Sequence, residues 1–415
     1  MIYRIGAHTL QPCRIELPPS KSIANRITLL RALAGMPQTT DNAACNDIAA
    51  MQHAIGNTDN IIDIGDAGTA MRFLTAYYAS TPGTQHILTG SPRMQQRPIG
   101  ALVEALRAAG ASIRYIDKEG FPPLAIQGGL LQGGEITIKG DISSQFITAL
   151  LLVAPLMRDG LHLTIIGNIV SRPYIEMTIE LMRSFGATIT CHDNSITVAP
   201  GEYNPACIEI ESDWSAASYW YETVAVSRTP MRLKTLWRNT LQGDARIASY
   251  FGQLGVATSY DNGDVTLSPG PVTAQNFIAD LADTPDIAQT LAMTCALKGI
   301  PFQLTGLGNL PLKECDRIAV LISEARKIGF AFTSPVAGTI EWSGNRIPSP
   351  HTPSCIDPHG DHRMAMTFAP AALVTGEISI SNPDVVAKSY PHFWDDLQRA
   401  GYVITPYDPK EEVQP

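Results

Sequence analysis

Five short amphipathic stretches of this 415-residue chain end on a glycine and run into a polar hairpin: Leu106-Arg-Ala-Ala-Gly110, Leu181-Met-Arg-Ser-Phe-Gly186, Phe251-Gly-Gln-Leu-Gly255, Ala325-Arg-Lys-Ile-Gly329 and Leu397-Gln-Arg-Ala-Gly401. Successive glycines lie 76, 69, 74 and 72 residues apart. Glycine just past the last helical residue is the usual helix stop, because its left-handed backbone lets the final carbonyls find donors. The alternating runs that follow, such as residues 187–191 and 195–198, predict paired strands. A second series keeps the same period. Helix starts fall at Lys21, Asp66, Ser143, Ser215, Asp286 and Asp361, at intervals of 45, 77, 72, 71 and 75 residues. The chain therefore reads as six copies of one α/β unit, with a period well outside the roughly 20–50 residues of most solenoids. The second copy is short: only a few polar residues separate Ala54-Ile-Gly56 from Ile61, so part of its hairpin is expected to be missing.

With 45% hydrophobic residues, a chain of this length can bury substantial cores and should divide into two or three domains. No run of eighteen apolar residues occurs, so no membrane span is expected. Met1-Ile-Tyr-Arg-Ile-Gly6 lacks the charged-then-apolar layout of a signal peptide. The seven cysteines are irregularly spaced and form no Cys-x-x-Cys pair, which argues against a disulfide framework or zinc site and points to the cytoplasm. Cys315 sits between Glu314 and Asp316, two carboxylates that should raise its thiol pKa and keep it from acting as a nucleophile. His359 and His362 lie at i and i+3 without further ligand spacing, so no metal is expected there and His362 is read as orienting the Arg363 region or hydrogen-bonding a substrate. Trp214, Trp220, Trp237 and Trp342 read as packing aromatics.

The net charge of −9 argues against nucleic acid as a partner. The repeated helix starts and their loops nonetheless collect Lys21, Arg26, Arg72, Arg97, Lys313, Arg317, Arg363 and Lys388. An acidic chain that gathers cations in its repeated motifs implies a focused well for a small, multiply charged anion. The run from Leu17 to Arg26 shows the local logic. A turn passes into a helix whose first residues are Lys21 and Ser22, with Ser20 placed to cap it. Free backbone N–H groups and the positive end of the helix dipole then point where the cations point. Arg72 and Arg363 stand in otherwise apolar helix starts, where an arginine usually has an anionic partner.

The motifs Leu17-Pro-Pro-Ser-Lys-Ser with Asn25-Arg26, Asp66-Ala-Gly-Thr-Ala-Met-Arg72, Pro92-Arg-Met-Gln-Gln-Arg-Pro98, Ser143-Ser-Gln-Phe146 and Ser171-Arg-Pro-Tyr174 follow one another along the first half of the chain. Pro285-Asp286, Asn309 with Lys313-Glu-Cys-Asp-Arg317, Asp361-His-Arg-Met-Ala-Met366 and Lys388 follow in the second. In this order and spacing they resemble the 5-enolpyruvylshikimate-3-phosphate (EPSP) synthase family, the 3-phosphoshikimate 1-carboxyvinyltransferases, over essentially the whole chain.

The resemblance implies an α/β fold of two inside-out barrel domains, each built from three βαβαββ repeats with helices packed inward. Residues 1–19 and 212–415 would form the phosphoenolpyruvate domain and residues 20–211 an inserted shikimate 3-phosphate domain, with helix starts of both facing one cleft. It further implies transfer of the enolpyruvyl group of phosphoenolpyruvate to the 5-hydroxyl of shikimate 3-phosphate, with release of phosphate, on the route to chorismate and the aromatic amino acids. Lys21, Ser22, Arg26, Ser143, Ser144, Gln145, Ser171, Asp286, Asn309 and Lys313 would contact shikimate 3-phosphate. Lys21, Gly68, Arg97, Gln145, Arg317, Arg363 and Lys388 would contact phosphoenolpyruvate. Asp286 and Glu314 would exchange protons, and Lys21 would neutralise developing charge. Neither cofactor nor metal is implied, and the expected protein is a cytoplasmic monomer whose partners are its two small substrates, with neither nucleic acid nor membrane among them.

The residue types suit this chemistry on their own account. Two phosphates and two carboxylates in one pocket need several cations, and the planar arginine fork binds a carboxylate through two parallel hydrogen bonds. Three positions depart from the family pattern: Pro19 stands where Gly is usual, Asp66 where Asn is usual and Phe73 where Pro is common. Asp66 adds negative charge beside a phosphate site, so a modest loss of phosphoenolpyruvate affinity is expected. The sister transferase acting on UDP-N-acetylglucosamine would need a cysteine between Gly90 and Gly100, and none is there. A catalytically dead anion-binding relative is disfavoured by the presence of Lys21, Asp286, Glu314 and Lys388.

Overall fold

The computed structural model describes residues 1–7, 9–37, 45–349 and 355–407. They form two compact units, one of residues 1–19 with 211–415 and the other of residues 20–210. The second crossing falls at Glu211, one residue earlier than the sequence reading placed it. Glu211 is buried, and its carboxylate accepts hydrogen bonds from the Thr240 hydroxyl and the Trp237 amide, both in the first of these units.

The described strands form five small sheets, each with a parallel pair extended on one side by antiparallel pairing, and in three of them that extension is a hairpin. In the 20–210 unit, Gly134–Lys139 pairs in parallel with Leu161–Ile166, and the hairpin Ile189–His192 with Ser195–Val198 closes the sheet in the register Ser195 opposite His192. Ile61–Asp63, Gln85–Thr89, Leu124–Gln127 and Ser112–Tyr115 repeat the pattern. The other unit carries three such sheets, and in one of them Ile2–Ala7 lies between Glu377–Ser381 and Tyr402–Tyr407. The short second copy contributes the helix Asn46–Ala54 and passes directly to the strand at Ile61, so the described residues of that copy contain no hairpin.

Burial divides the helices into two classes. Most helices that open on the first series of starts are buried nearly all round: ten of twelve residues in Gly68–Ala79, nine of ten in Ser144–Val153, all ten in Ala288–Leu297 and all seven in His362–Phe368, with Lys21–Leu33 lower at eight of thirteen. Helices that end on the glycine series are buried on one face only, with four of nine residues in Gly100–Ala108 and three of eight in Ile247–Leu254. The strands alternate buried and exposed positions, as in Leu161–Ile166, so each such sheet packs one face inward and leaves the other outside. The inner helices are thus the core of each unit, and the sheets cover them. Trp214 and Trp220 on the inner helix Trp214–Ser227, together with Trp342, are buried core aromatics, while Trp237 is only half-buried against Gly263.

Inner helices begin a few residues after a strand end, as Gly68 follows Asp63 and Ser144 follows Lys139. Their first turns therefore gather at one end of the unit. In the 1–19 plus 211–415 unit, Ser218, Thr290 and Thr367 come from three inner helices, and their hydroxyls link in series at 3.1 and 3.4 Å. In the other unit the Gln145 side-chain amide donates to the Thr69 hydroxyl at 3.2 Å. The repeat thereby places the charged motif of each copy beside those of its neighbours.

Candidate active site

In the 20–210 unit, Lys21 opens the helix Lys21–Leu33 and its ammonium lies 2.9 Å from the buried Asp47 carboxylate. Ser20 occupies the cap position, but its side chain makes no capping bond and its hydroxyl is buried without a partner, which corrects the capping role read from sequence. Ser143 does cap its helix, accepting from the Gln145 amide at 3.3 Å, and Ser144 is buried beside it. Gly68 is the first residue of Gly68–Ala79 and lies under the guanidinium of Arg97. A Cβ there would sit 2.6 Å from Arg97 Nη1 and 3.0 Å from Nη2. Only glycine admits that close approach. Gly68, Thr69, Arg97, Ser143, Ser144 and Gln145 thus form one cradle of hydroxyls, amides and a guanidinium around two helix starts.

Arg26, one helical turn after Ser22, is buried and its pKa is lowered to about 10 by desolvation. Its guanidinium donates to Thr178 Oγ1 at 2.8 Å, the Ser22 carbonyl at 2.8 Å, the Tyr174 carbonyl at 3.1 Å and Thr148 Oγ1 at 3.4 Å. The Phe73 ring lies 5.5 Å from it, so this atypical residue forms part of the wall behind the arginine. Ser171 takes the cap position of Arg172–Ser184 with φ of 55°, and that same helix supplies the Thr178 that holds Arg26. Arg72 donates to the Gly68 and Pro98 carbonyls at 3.2 and 3.0 Å, fixing the turn that carries Arg97.

In the 1–19 plus 211–415 unit the same helix ends carry an ion network. Asp286 lies at the head of Ala288–Leu297, where it pairs with Arg317 at 2.9 Å, Arg363 at 3.1 Å and Lys313 at 3.3 Å. Arg317 donates from Nε to Asp361 at 2.7 Å and from Nη2 to Glu314 at 2.9 Å. Glu314 also lies 3.8 Å from the Lys388 ammonium. Asp361 caps its helix by accepting from the Arg363 amide at 2.9 Å, while the His362 ring is buried 3.6 Å from it. Burial works against the charge of both arginines, but the carboxylates overcome it and raise their pKa values: Asp361, Glu314 and Asp286 around Arg317, chiefly Asp286 around Arg363. Asn309, just before Lys313, has a buried amide oxygen with no hydrogen-bond partner, consistent with a group that meets a ligand.

Cys315 is buried and its thiol pKa is raised, so it is no nucleophile. Burial is the main cause and Asp361 the next; Glu314 contributes less, and Asp316 instead caps Arg317–Lys327 by accepting from Ala319. Among the described residues no group of three or more His, Cys, Asp or Glu side chains is arranged to hold a metal, and no helix is long and apolar enough to cross a membrane.

Residues 17–397 match the sequence model of EPSP synthase (3-phosphoshikimate 1-carboxyvinyltransferase). A Bacteroides fragilis 3-phosphoshikimate 1-carboxyvinyltransferase is 46% identical over 407 residues, covering 97% of this chain and 99% of that one. The chain belongs to the EPSP synthase family. A Vibrio cholerae member is 34% identical over 93% of this chain and 97% of its own. The fold agrees as well. The EPSP synthase of Acinetobacter baumannii superposes with a TM-score of 0.72 at 21% identity, over 98% of this chain and all of that one. The enolpyruvyl transferase NikO of Streptomyces tendae gives the same score at 14% identity, over 98% and 99% of the two chains.

Several functional neighbours escaped the sequence reading. Asp47 pairs with Lys21, Thr178 accepts from Arg26 and Asp244 accepts from Ser215, yet none of the three lies within a recognised motif. Thr69 and Asp361 did carry a signal, as members of recognised motifs, but their pairings with Gln145 and Arg317 span 76 and 44 positions.

Proposed function

We propose that this chain transfers the enolpyruvyl group of phosphoenolpyruvate to the 5-hydroxyl of shikimate 3-phosphate, releasing phosphate through a tetrahedral ketal. The observation that carries the reading is the Asp286 carboxylate held among Lys313, Arg317 and Arg363. Three cations on one carboxylate weaken it as a base. When the carboxylate and phosphate of phosphoenolpyruvate take over Arg317 and Arg363, Asp286 is released from them and its basicity rises as the substrate arrives. It then removes the proton from the attacking hydroxyl as oxygen bonds to C2. Glu314, beside Lys388 and Arg317, delivers a proton to C3 in the addition and takes one back from the methyl group in the elimination. Lys21 neutralises the phosphate as it leaves.

The 20–210 unit is read as the shikimate 3-phosphate side, where Ser143, Ser144, Gln145, Ser171 and the Lys21 helix start offer hydroxyls and amides suited to a phosphate, with Ser22 and Arg26 completing that set. Gly68, Arg97 and Gln145 add contacts to phosphoenolpyruvate from this unit. Asn309 and Lys313 are read as further contacts of the shikimate moiety. The reading takes the protein as a cytoplasmic monomer that needs no cofactor; gel filtration checks the oligomeric state. The deciding test is phosphate release from phosphoenolpyruvate with and without shikimate 3-phosphate. Release that depends on the second substrate, with formation of the enolpyruvyl product, supports the reading. Binding of both ligands without turnover refutes it.

A further inference from the structure

Glu324 stands outside every motif that carries the family resemblance, yet it is only 2% exposed. It lies on the helix Arg317–Lys327, seven residues after Arg317 and so two turns along the same face. That helix meets the segment leading from the strand Cys355–Ile356 to the helix His362–Phe368, and holds it at three points. Lys327, at the helix end, donates from Nζ to the Cys355 carbonyl at 3.2 Å. Glu324 Oε2 accepts from the Asp357 amide at 2.9 Å, and Oε1 lies 3.4 Å from His359 Nε2. Arg317, at the helix start, donates from Nε to Asp361 Oδ2 at 2.7 Å and from Nη2 to Oδ1 at 3.4 Å. Helix and segment thus run in opposite directions, tied at successive turns. The Lys327 ammonium also sits 2.5 Å from Glu324 Oε2, so the buried carboxylate has a cation beside it.

The segment needs such a hold. His359 and Gly360 both take positive φ, 51° and 74°, and a histidine adopts that backbone far less readily than glycine does. Within the turn, the Asp357 carboxylate accepts from the His359 amide at 2.8 Å, and the Asp361 amide donates to the Pro358 carbonyl at 2.9 Å. Asp361 emerges from this turn fully buried, where it caps the Arg363 amide at 2.9 Å and pairs with the Arg317 side chain. One carboxylate therefore sets both arginines that the proposed reading gives to phosphoenolpyruvate. At its other end the segment is pinned to a sheet, Cys355 opposite Ser379 and Ile356 opposite Ile380. Between these ends, Glu324 holds the turn itself.

We propose that Glu324 is a positioning residue for phosphoenolpyruvate: by anchoring the turn at Asp357 and His359 it fixes Asp361, and through Asp361 it sets Arg317 and Arg363. A carboxylate suits the place because its two oxygens can accept from the amide and the imidazole at once. Glu324 needs no contact with substrate for this.

The inference rests on the reading that Arg317 and Arg363 bind phosphoenolpyruvate, and the test separates the two. Phosphate release with both substrates gives kcat and the KM for phosphoenolpyruvate, and calorimetry gives the affinity for shikimate 3-phosphate alone. Glu324→Ala should raise that KM by roughly 10–100-fold, the range of binding groups misplaced from a distance, with a smaller loss in kcat and little change in shikimate 3-phosphate affinity. Glu324→Gln, which keeps an oxygen for the Asp357 amide, should recover part of the loss. His359→Asn removes the imidazole contact while tolerating the left-handed backbone, and should raise KM by about 2–10-fold. A folded Glu324→Ala protein with a lower melting temperature but the parental KM overturns the inference. So does an equal loss of affinity for both ligands. If Glu324→Ala does not fold, a parental KM in both Glu324→Gln and His359→Asn overturns it instead. Failure of the underlying reading looks different: the parent shows no turnover, or Arg363→Ala keeps the parental KM.

Discussion

The two units bury cations alike and carboxylates very differently. Among the described residues, Arg26, Arg72 and Arg97 are the buried cations of the 20–210 unit, and Arg317, Arg363 and Lys388 those of the other. The first unit buries a single carboxylate, Asp47; the second buries seven: Glu211, Glu222, Asp244, Asp264, Glu324, Asp361 and Asp396. The contrast reaches individual side chains. Arg26 is held by hydroxyls and carbonyls and its pKa falls, whereas Arg317 is held by three carboxylates and its pKa rises. A cradle of the first kind has a net positive field and binds an anion by adding to what is there. A network of the second kind is neutralised from within, so an anion binds by exchanging with a carboxylate, which is thereby freed to act as a base. On the proposed reading, binding a stable phosphoester and activating a reacting enol ask for different electrostatics, and the two sets of helix starts would supply them.

The largest effect that could break this comparison is at Asp286. Its replacement by alanine should lower kcat by roughly 10²–10⁴-fold, the range of a lost general base. Retention of more than a tenth of the rate would show that exchange onto Asp286 is not how the network works. On the other side, Arg26→Ala should weaken shikimate 3-phosphate binding by roughly 10–100-fold, since a hydrogen bond to a charged group contributes about 1.5–3 kcal/mol. Calorimetry reads this directly, and the melting temperature should fall with it because Thr148, Thr178 and the Tyr174 carbonyl lose their donor.

Gly68→Ala sharpens the contrast within the cradle. The new methyl group would press on Arg97 and displace the guanidinium. KM for phosphoenolpyruvate should rise roughly tenfold, about 1.4 kcal/mol, with shikimate 3-phosphate affinity unchanged. Equal losses for both ligands would mean that the helix start itself had been distorted.

The smallest effect concerns stability. Glu222 is buried with both carboxylate oxygens unpartnered, and desolvation raises its pKa well above 4.5. The folded chain therefore keeps a proton that the unfolded chain has released above its own carboxylate pKa. In that window the native state binds more protons, so stability falls as pH rises. Asp244 has the same sign up to about pH 7. Glu222→Gln should flatten the decline of melting temperature between pH 5 and 8, by up to about 1.4 kcal/mol per pH unit of window removed. An unchanged slope would place the pH sensitivity elsewhere among the seven carboxylates.

Much of this architecture was legible in the chain, for a physical reason. A helix stop at glycine, an apolar stretch of one turn and a polar hairpin are local signals, and repetition multiplies them. The glycines at 186, 255, 329 and 401 all take positive φ, and the hairpin read at 187–198 pairs over Ile189–His192 and Ser195–Val198. The cations were legible too, because Arg72 or Arg363 within an apolar helix start is locally out of place. The carboxylates that answer them were not. A lone Asp such as Asp47 or Asp244 looks like solvated surface in its own sequence, and only the packing of helices from distant copies brings it to a buried cation or hydroxyl. Ser20 errs in the other direction: its sequence fits a cap, yet the backbone directs its hydroxyl into the protein without a partner.

The order of strands in one sheet carries a consequence for biosynthesis. Ile2–Ala7 leaves the ribosome long before either strand that flanks it, Glu377–Ser381 or Tyr402–Tyr407, has been made. Residues 20–210, by contrast, are contiguous and can condense as soon as they emerge. The nascent chain must hold Ile2–Ala7 unpaired through the translation of more than three hundred codons, so the unit rich in buried acids cannot be completed until long after residues 20–210 have been made.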